Sequence, residues 1–500
     1  MQELLNGKEE CVIRTKHTPM PVDVEVLSFS ELFETSAFPL AMDTYQRGFV
    51  WNDDKVRQLV DDLSAYQGDT DPQLPYYMGT ILIHRNNKKQ KHFIIDGQQR
   101  LTALCVLHQQ LNGYLPNKCA LTYSPKSARR IRAATGVFQN HTCRPSAAVF
   151  HQIVFTVICV DQVDLAFTFF DTQNNRGVPL HATDLLKAYH LRAVDGTTKE
   201  HKEALQTLCA KRWEGIQQGA PVMSHDQEFA PNLFTKFLWR ARYWTGQRVA
   251  NGNHEALMEE FQTHSLRVEG DHATIPLYRS RQNRLGTSLT MAQDGHSEIH
   301  TRRISLSPKA EDLPFAIRQP IQKGIGFFLY ADKYAALLRR LVTTPTESNE
   351  VLRFREVYEK LIMANSLFLR EIFLLASLMY ADQFDDVKLW EFSLWLDHAL
   401  GAVRIEKQQV RNETAQNFFK KDMLNLLDVI ANSFRPEQVI SHLCMYHTQL
   451  ETYASESIEA GKGVQGAYKQ AVLDYFGRTG EPSLRGKHSW ITAKLIGGAA

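Results

Sequence analysis

One stretch of this 500-residue chain constrains the fold more than any other, residues 92–104, His-Phe-Ile-Ile-Asp-Gly-Gln-Gln-Arg-Leu-Thr-Ala-Leu. Its apolar residues 93–95 are typical of a buried strand. Asp96-Gly97 is typical of a tight turn, because glycine adopts backbone angles that other residues resist. Apolar residues then recur at helical spacing from Leu101 onward. The pattern predicts a strand, a sharp turn and a helix.

This turn is suited to binding an anion. A strand that turns sharply into a helix presents free backbone N–H groups and the positive end of the helix dipole to whatever lies above the strand end. Arg100 would add a guanidinium suited to phosphate, and Asp96 could position a metal ion or a water. Taken alone, the same residues could also form a loop with a salt bridge, so this stretch by itself leaves both interpretations open.

Composition is that of an ordinary globular protein. The chain is 43% hydrophobic and 22% charged. Its formal net charge of +2 is too small to indicate nucleic-acid binding by the chain as a whole, so any basic surface must be local. Its seven cysteines are scattered without a Cys-x-x-Cys pair, which favours reduced thiols over disulfides or zinc. The N-terminus lacks a signal-peptide pattern and no apolar run reaches the roughly 20 residues of a membrane span. We therefore expect a cytoplasmic protein that makes no membrane contact.

The periodicity changes along the chain and predicts three regions. Residues 1–200 mix strand and helix patterns around the opening stretch, which predicts an α+β domain. Residues 201–460 show mostly helical periodicity, interrupted by a long polar insertion at 264–325. Residues 461–500 are polar and contain several glycines, so we expect a partly ordered tail. The predicted fold class is α+β, with a mostly α-helical C-terminal domain.

Two other stretches could contribute to a site. Tyr45-Gln46-Arg47 is either a surface loop or a place where Tyr45 stacks on a base or sugar while Arg47 contacts a phosphate. Residues 174–177, Asn-Asn-Arg-Gly, fit a helix C-cap, yet their amides and guanidinium also suit ligand contact. Lys187 can be explained as a local helix pair with the nearby acid at 184.

Arginines in the polar insertion are candidate DNA-phosphate contacts. Acidic residues interleave with them, which fits a solvated loop equally well. The candidates are Arg279, Arg281, Arg284, Arg302 and Arg303. The chain shows no His-Glu-x-x-His, no zinc-type Cys/His spacing, no Walker-type glycine loop and no Gly-x-Ser-x-Gly nucleophile elbow. The sequence therefore predicts no dedicated metal site.

Taken together and in this order, the motifs resemble the N-terminal domain of the GmrSD-type restriction family, which also includes the phosphorothioate-sensing SspE proteins. That domain is similar to the ParB/sulfiredoxin fold. The resemblance covers about residues 30–195 and extends more weakly into the helical half. The stretches that carry it are Tyr45-Gln46-Arg47 with Trp51, Ile95 to Thr102, and Asn175-Arg176-Gly177 with Leu180 and Asp184-Leu185-Leu186-Lys187.

The resemblance implies a domain that binds and hydrolyses a nucleoside triphosphate, with Mg²⁺ as the expected metal, and that senses modified phage DNA in antiviral defence. Carried over residue by residue, it makes Asp96, Gln99 and Arg100 catalytic candidates. The corresponding nucleotide-binding candidates are Tyr45, Gln46, Arg47, Gly97, Gln98, Asn175, Arg176, Gly177 and Lys187.

One departure from the family pattern shapes the functional hypothesis. Full-length members carry a C-terminal His-Asn-His (HNH) nuclease domain with a His-x-x-Pro signature, and this chain contains no His-x-x-Pro. We therefore expect the GmrS-like half, a sensor and NTPase subunit that controls a separately encoded HNH nuclease. Two alternatives stay open, a non-hydrolysing DNA-binding adaptor and a ParB-like fold that itself nicks DNA. A degenerate nuclease domain and a homo-oligomer stay open as well.

Overall fold

The computed structural model divides into two compact units, Met1–Leu180 and His181–Ala500. The sequence pattern predicts this boundary near residue 200. The boundary comes earlier because helix α6 (Ala182–Ala193) packs against other helices of the second unit. The structure describes residues 22–42, 48–68, 74–121, 123, 125–162, 181–218, 229–266, 274–278, 287–291, 293, 297–301, 303–420, 424–445 and 449–497.

The first unit is built on a mixed sheet, whose described strands lie in the order β1-β6-β3-β4-β2-β5. β3 and β4 form the predicted antiparallel hairpin, while β6 runs parallel to β3 and β2 runs parallel to β4. The sheet therefore brings together segments that are distant in sequence. The strands are β1 (Val22–Ser28), β2 (Leu40–Met42), β3 (Tyr76–Asn86), β4 (Lys91–Asp96), β5 (Cys119–Ala120) and β6 (Ile153–Val160).

Local sequence explains where the helices of this unit begin and end. The Ser28 hydroxyl accepts the backbone N–H of Glu31, and the Glu31 carboxylate accepts the backbone N–H of Ser28, which is a capping box at the start of α1. Asn52 accepts from the N–H of Lys55 at the start of α2. Gly113 ends α3 with a φ of 82°. The helices are α1 (Phe29–Thr35), α2 (Asp53–Gly68), α3 (Gln98–Asn112), α4 (Pro125–Asn140) and α5 (Val149–Gln152).

Both faces of the sheet are apolar near β4, as its continuous apolar sequence predicts. Ile94 is fully buried in the larger core, which the strands share with the helices. Phe93 and Ile95 point to the opposite face and lie in a smaller cluster with Leu82. β4 is therefore held from both sides, so the turn at its end starts from a fixed position.

The second unit is mostly helical and also contains a β-hairpin, so the predicted α+β class with a helical C-terminal domain is confirmed. None of the helices in the described ranges has the length and apolar character needed to cross a lipid bilayer. The early elements are α6, α7 (Lys199–Gln218), α8 (Phe229–Asn232), a π-helical segment Leu233–Leu238, α9 (Trp239–Tyr243), α10 (His254–Met258), a second π-helical segment Glu259–Thr263, β7 (Thr287–Met291) and β8 (Ser297–Thr301). After a 3-10 turn Ala310–Asp312 come α11 (Ile325–Val342), α12 (Asn349–Lys360), a 3-10 turn Ile362–Ala364, α13 (Leu367–Phe384), α14 (Leu389–Glu406), α15 (Asn412–Lys420), α16 (Leu426–Asn432), α17 (Pro436–Cys444), α18 (Gln449–Tyr453), α19 (Gly463–Phe476) and α20 (Lys487–Gly497).

The described part of the predicted tail, residues 461–497, is more ordered than its polar composition suggests. They form α19 and α20, and the side chain of Lys487 in α20 is fully buried. Its ammonium lies 2.6 Å from the carboxylate of Asp397 on α14 and donates to the hydroxyl of Tyr468 at 2.7 Å. The buried pair ties the final helix to the centre of the unit, because a buried ammonium needs these partners.

Candidate functional site

The Asp96–Arg100 motif lies at the junction of β4 and α3, as predicted. β4 ends at Asp96, α3 begins at Gln98, and Gly97 between them has a φ of 91°. A Cβ added at Gly97 would lie 3.0 Å from Cγ1 of Ile81, so both the backbone angle and the close contact favour glycine. Glycine also has no side chain to cap the first-turn N–H groups, which leaves this helix N-terminus suited to an anion.

Arg100 binds a bulge in the neighbouring strand β3. Its Nη1 donates to the carbonyl oxygen of Met78 and its Nη2 to that of Thr80, each at 2.7 Å. Gly79 lies between these carbonyls with a φ of 102°, at the point where the pairing of β3 with β6 is irregular. A Cβ on Gly79 would lie 2.3 Å from Nη1 of Arg100. The glycine therefore makes room for the guanidinium, and the guanidinium satisfies the carbonyls that the bulge turns out of the ladder.

Arg100 also lies near the carboxylate that begins the motif. Its Nη2 is 3.7 Å from Oδ2 of Asp96, and the two side chains are 25% and 36% exposed. A guanidinium has five N–H groups, so the two bonds to β3 leave capacity for an anion. The arginine can thus hold the bulge and still present positive charge at the turn.

Gln99 connects the motif to the loop that follows Tyr45-Gln46-Arg47. Its Oε1 accepts the backbone N–H of Val50 at 2.8 Å, and its Nε2 donates to the carbonyl oxygen of Gly48 at 2.9 Å. One amide side chain therefore holds the backbone on both sides of position 49. Gln99, a predicted catalytic residue, therefore also positions a loop about 50 residues earlier in the sequence.

Helix α4 holds the same loop from another direction. The hydroxyl of Ser127 accepts the backbone N–H of Phe49 at 3.0 Å, and Nη1 of Arg130 donates to the carbonyl oxygen of Val50 at 2.8 Å. Phe49 itself is 1% exposed. Together with Gln99, these two side chains of α4 make four hydrogen bonds to the backbone of residues 48–50. We call this set of four bonds the loop clasp. The sequence does not indicate this role of α4, because it does not show which backbone the helix faces.

An exposed aromatic ring adjoins the bulge. Tyr77, which precedes Met78 on β3, is 59% exposed, and its hydroxyl lies 3.1 Å from Oγ1 of Thr156. Hydrogen bonds to Thr156 and then Thr80 lower the pKa of this phenol. Sequence reasoning missed Tyr77, although an isolated glycine inside a strand pattern, here Gly79, is a signal for a bulge or a close approach.

The remaining predicted residues divide into described and undescribed positions. Gln98 is buried in the first unit and Lys187 is buried in α6 of the second. Arg303 is exposed. The predicted residues that lie outside the described parts of the chain are Tyr45, Gln46, Arg47, Asn175, Arg176, Gly177, Arg279, Arg281, Arg284 and Arg302. Within the described ranges, no group of three or more His, Cys, Asp or Glu side chains could hold a metal ion.

Comparison with known proteins identifies two matching regions. Residues 29–191 match the N-terminal domain of the GmrSD restriction endonuclease, a span that contains all three motifs of the sequence resemblance. Residues 205–459, about half of the chain, match a family of unknown function, DUF7834. No curated protein matches the chain.

Proposed function

Because this chain belongs to the GmrSD-type restriction family by its N-terminal domain and to DUF7834 by its helical part, we propose that it is the sensor and NTPase subunit of an antiviral restriction system. The family acts on modified DNA. In the proposal, recognition of that DNA changes nucleotide turnover, and turnover controls a separately encoded HNH nuclease. The observation that carries the proposal is the pair of hydrogen bonds from Gln99 to Gly48 and Val50, which fixes the loop directly after one family motif to the helix that begins at another.

The turn would bind the phosphates of the nucleotide. The N–H groups at the start of α3 face the region beyond the strand end, and they carry the positive end of the helix dipole. Arg100 adds a full positive charge whose position is fixed by β3. A donor that is held in place stabilises charge that develops on a phosphate without reorganising during the reaction.

Asp96 suits a second role at the same turn. Its carboxylate is 36% exposed and lies 3.7 Å from the Arg100 guanidinium, so it could accept a hydrogen bond from an attacking water. Asp96 could also hold a Mg²⁺ ion, which usually takes one or two carboxylates together with substrate phosphates and would neutralise part of the phosphate charge. In either case Asp96 would hold the water or the Mg²⁺ ion beside the phosphates.

The loop clasp supports a site built from more than one motif. Residues 48–50 are fixed directly after Arg47, so the chain leaves that motif at a defined point. In the proposal, Tyr45 stacks on the base or sugar and Arg47 contacts a phosphate. A site of this kind would respond to the nucleotide through the loop, which provides a route from turnover to other parts of the protein.

A specific observation favours a second candidate, a DNA-binding adaptor without turnover. The polar groups of Gln99 and Arg100 are already engaged by backbone atoms of the same unit. A motif whose side chains build their own turn can bind an anion through backbone N–H groups and perform no chemistry. In that case the anion would be a DNA phosphate.

Phosphate release from the purified full chain separates the two candidates. We expect release with at least one NTP, a changed rate when modified DNA is added, and loss of release in Arg100→Ala. Arg57→Ala is the matched control, because Arg57 pairs with Asp54 on the surface of α2. Unchanged turnover in a folded Arg100→Ala variant would overturn the assignment of Arg100. Binding of nucleotide or DNA with no release by the wild type would favour the adaptor.

A further inference from the structure

Two cysteine thiols lie side by side in the first unit, next to the elements that carry the candidate site. Cys105 is on α3 and Cys119 is on β5, and their Sγ atoms are 3.9 Å apart. Cys105 is 2% exposed, whereas Cys119 is partly exposed. Cys119 is therefore the more exposed of the two residues, and Cys105 is buried beside it.

The surroundings of the two sulfurs differ in the way that a reactive and a resolving cysteine differ. Cys119 is hydrogen-bonded by Cys105 and by the backbone N–H of Leu121, and these contacts lower its pKa to about 7 against the opposing effect of burial. Burial raises the pKa of Cys105 well above its ordinary value. Cys119 is therefore the thiol that becomes a thiolate near neutral pH.

The strand that carries Cys119 is short and has few ladder bonds to hold it. β5 has two residues and lies at the edge of the sheet, with β2 as its neighbour. A disulfide needs the sulfurs to approach from 3.9 Å to about 2.05 Å, a shift of about 1.9 Å. A short edge strand can absorb such a shift more easily than a central strand, because fewer ladder bonds must change with it.

We propose that Cys105 and Cys119 are an oxidation site that forms an intramolecular disulfide with hydrogen peroxide as the oxidant. The Cys119 thiolate attacks a peroxide oxygen, so that an S–O bond forms, the O–O bond breaks, and the departing oxygen leaves as water after protonation. The Cys105 thiol then loses its proton and attacks the sulfur of the Cys119 sulfenic acid, forming the S–S bond and releasing the second water. Two electrons pass from the two thiols to the peroxide.

The disulfide would lie close to two elements next to the loop clasp, which are helix α3 and the strand β2 that precedes the loop. Cys105 lies two helical turns after Gln98, on the helix that begins at the motif. Cys119 pairs with Leu40 on β2, and β2 ends at Met42, just before the motif at residues 45–47. Oxidation would therefore link α3, which carries Gln99, to β5, the neighbour of the strand that leads toward the loop held by Gln99. This effect on turnover rests on the proposed function, whereas formation of the disulfide does not.

Peptide mapping of the native full chain tests the site. The reduced protein is treated with hydrogen peroxide, unreacted thiols are alkylated, and disulfide-linked peptides are identified by mass spectrometry. We expect a Cys105–Cys119 peptide that forms faster than any other and disappears on reduction with dithiothreitol. Cys143, which is exposed, and Cys159, whose pKa is raised by burial to about 11, serve as internal controls that should not form an intrachain bridge.

A variant and a second measurement make the outcome decisive. In Cys105→Ser the resolving thiol is missing, so dimedone should trap a sulfenic acid on Cys119 that the wild type does not accumulate. A bridge that forms only after denaturation, or Cys119 sulfenic acid that accumulates equally in the wild type, would overturn the proposal. If the bridge forms and phosphate release in the wild type is unaffected by it while Arg100→Ala still abolishes release, only the link to turnover fails. If the wild type shows no release at all, the proposed function fails and the oxidation site stands.

Discussion

Replacing Gly79 with alanine should remove Arg100 from its place on β3. The added Cβ would lie 2.3 Å from Nη1 of Arg100 and 3.5 Å from its Cζ, so the guanidinium must leave the bulge. The bonds from Arg100 to the carbonyl oxygens of Met78 and Thr80 would then be lost. The methyl group added to β3 should therefore destabilise the bulge by displacing an arginine of α3.

The free energy of unfolding that Gly79→Ala is expected to lose has two separable parts. A residue other than glycine at a φ of 102° adds backbone strain of roughly 1–3 kcal/mol. Hydrogen bonds from a charged donor contribute about 1.5–3 kcal/mol each, and the 25% exposure of Arg100 reduces this because water can replace part of the loss. In an Arg100→Ala background the second part is already absent. The double-mutant cycle should therefore give a coupling of about 2–3 kcal/mol between positions 79 and 100.

Hydrogen exchange of the full chain measures this coupling locally. A change of 2–3 kcal/mol corresponds to a roughly 30- to 150-fold faster exchange for amides that exchange through opening of the first unit. Peptides from β3 and α3 report on the bulge, and peptides from α13 and α14 are the internal control in the same sample. Arg100→Lys is the matched variant, because an ammonium cannot donate in the fork geometry of a guanidinium.

Additivity would refute this reasoning. If Gly79→Ala accelerates exchange by the same factor in the wild type and in Arg100→Ala, the two positions do not interact and Arg100 does not hold the bulge. If Arg100→Lys behaves like the wild type, the fork geometry is unimportant. The first result would leave Arg100 with a role at the turn alone, and the second would show that any positive charge can hold the bulge.

Three further predictions follow from other contacts. Gln99→Ala should remove two of the four side-chain bonds that hold residues 48–50 and increase tryptic cleavage after Arg47 several-fold, whereas Gln109→Ala, at an exposed glutamine on the same helix, should not. Burial, with a smaller effect of Lys323, lowers the pKa of His190 to about 3, so between about pH 6.5 and 3 the unfolded chain binds more protons. Thermal unfolding of the second unit should therefore occur at lower temperature as pH falls through that window, and a flat profile would contradict this. Lys487→Met should destabilise the same unit by about 3–5 kcal/mol in denaturant unfolding, because Asp397 stays buried without its partner, and adding Asp397→Leu should recover part of the loss.

The local part of the fold could be predicted from the sequence, because its signals lie within a few residues of each other. The strand, turn and helix around Asp96 follow from an apolar run, an Asp-Gly pair and a helical period. The hairpin of β3 and β4 follows from two apolar segments separated by a short polar turn. By contrast, the placement of β6 beside β3 joins segments about 75 residues apart, and no local pattern specifies that neighbour.

The roles of the site residues were harder to predict than their location. A guanidinium that binds a phosphate and one that binds two backbone carbonyls look the same in sequence. The distinguishing signal was Gly79, which is remote from Arg100 in sequence and adjacent to it in the fold. For residues 461–500, average polarity hid the few positions that are buried, including Lys487. Composition measures the whole segment, whereas packing depends on single side chains.

The central claim, that the Asp96–Arg100 turn and the clasped loop form a nucleotide site, is tested most directly by mapping where a nucleotide binds. Hydrogen exchange of the full chain is measured with and without a non-hydrolysable NTP analogue and Mg²⁺. We expect protection in peptides that cover residues 43–50 and 96–102, with loss of that protection in Asp96→Asn. Protection confined to the helical unit, or absent throughout the chain at saturating analogue, would contradict the claim.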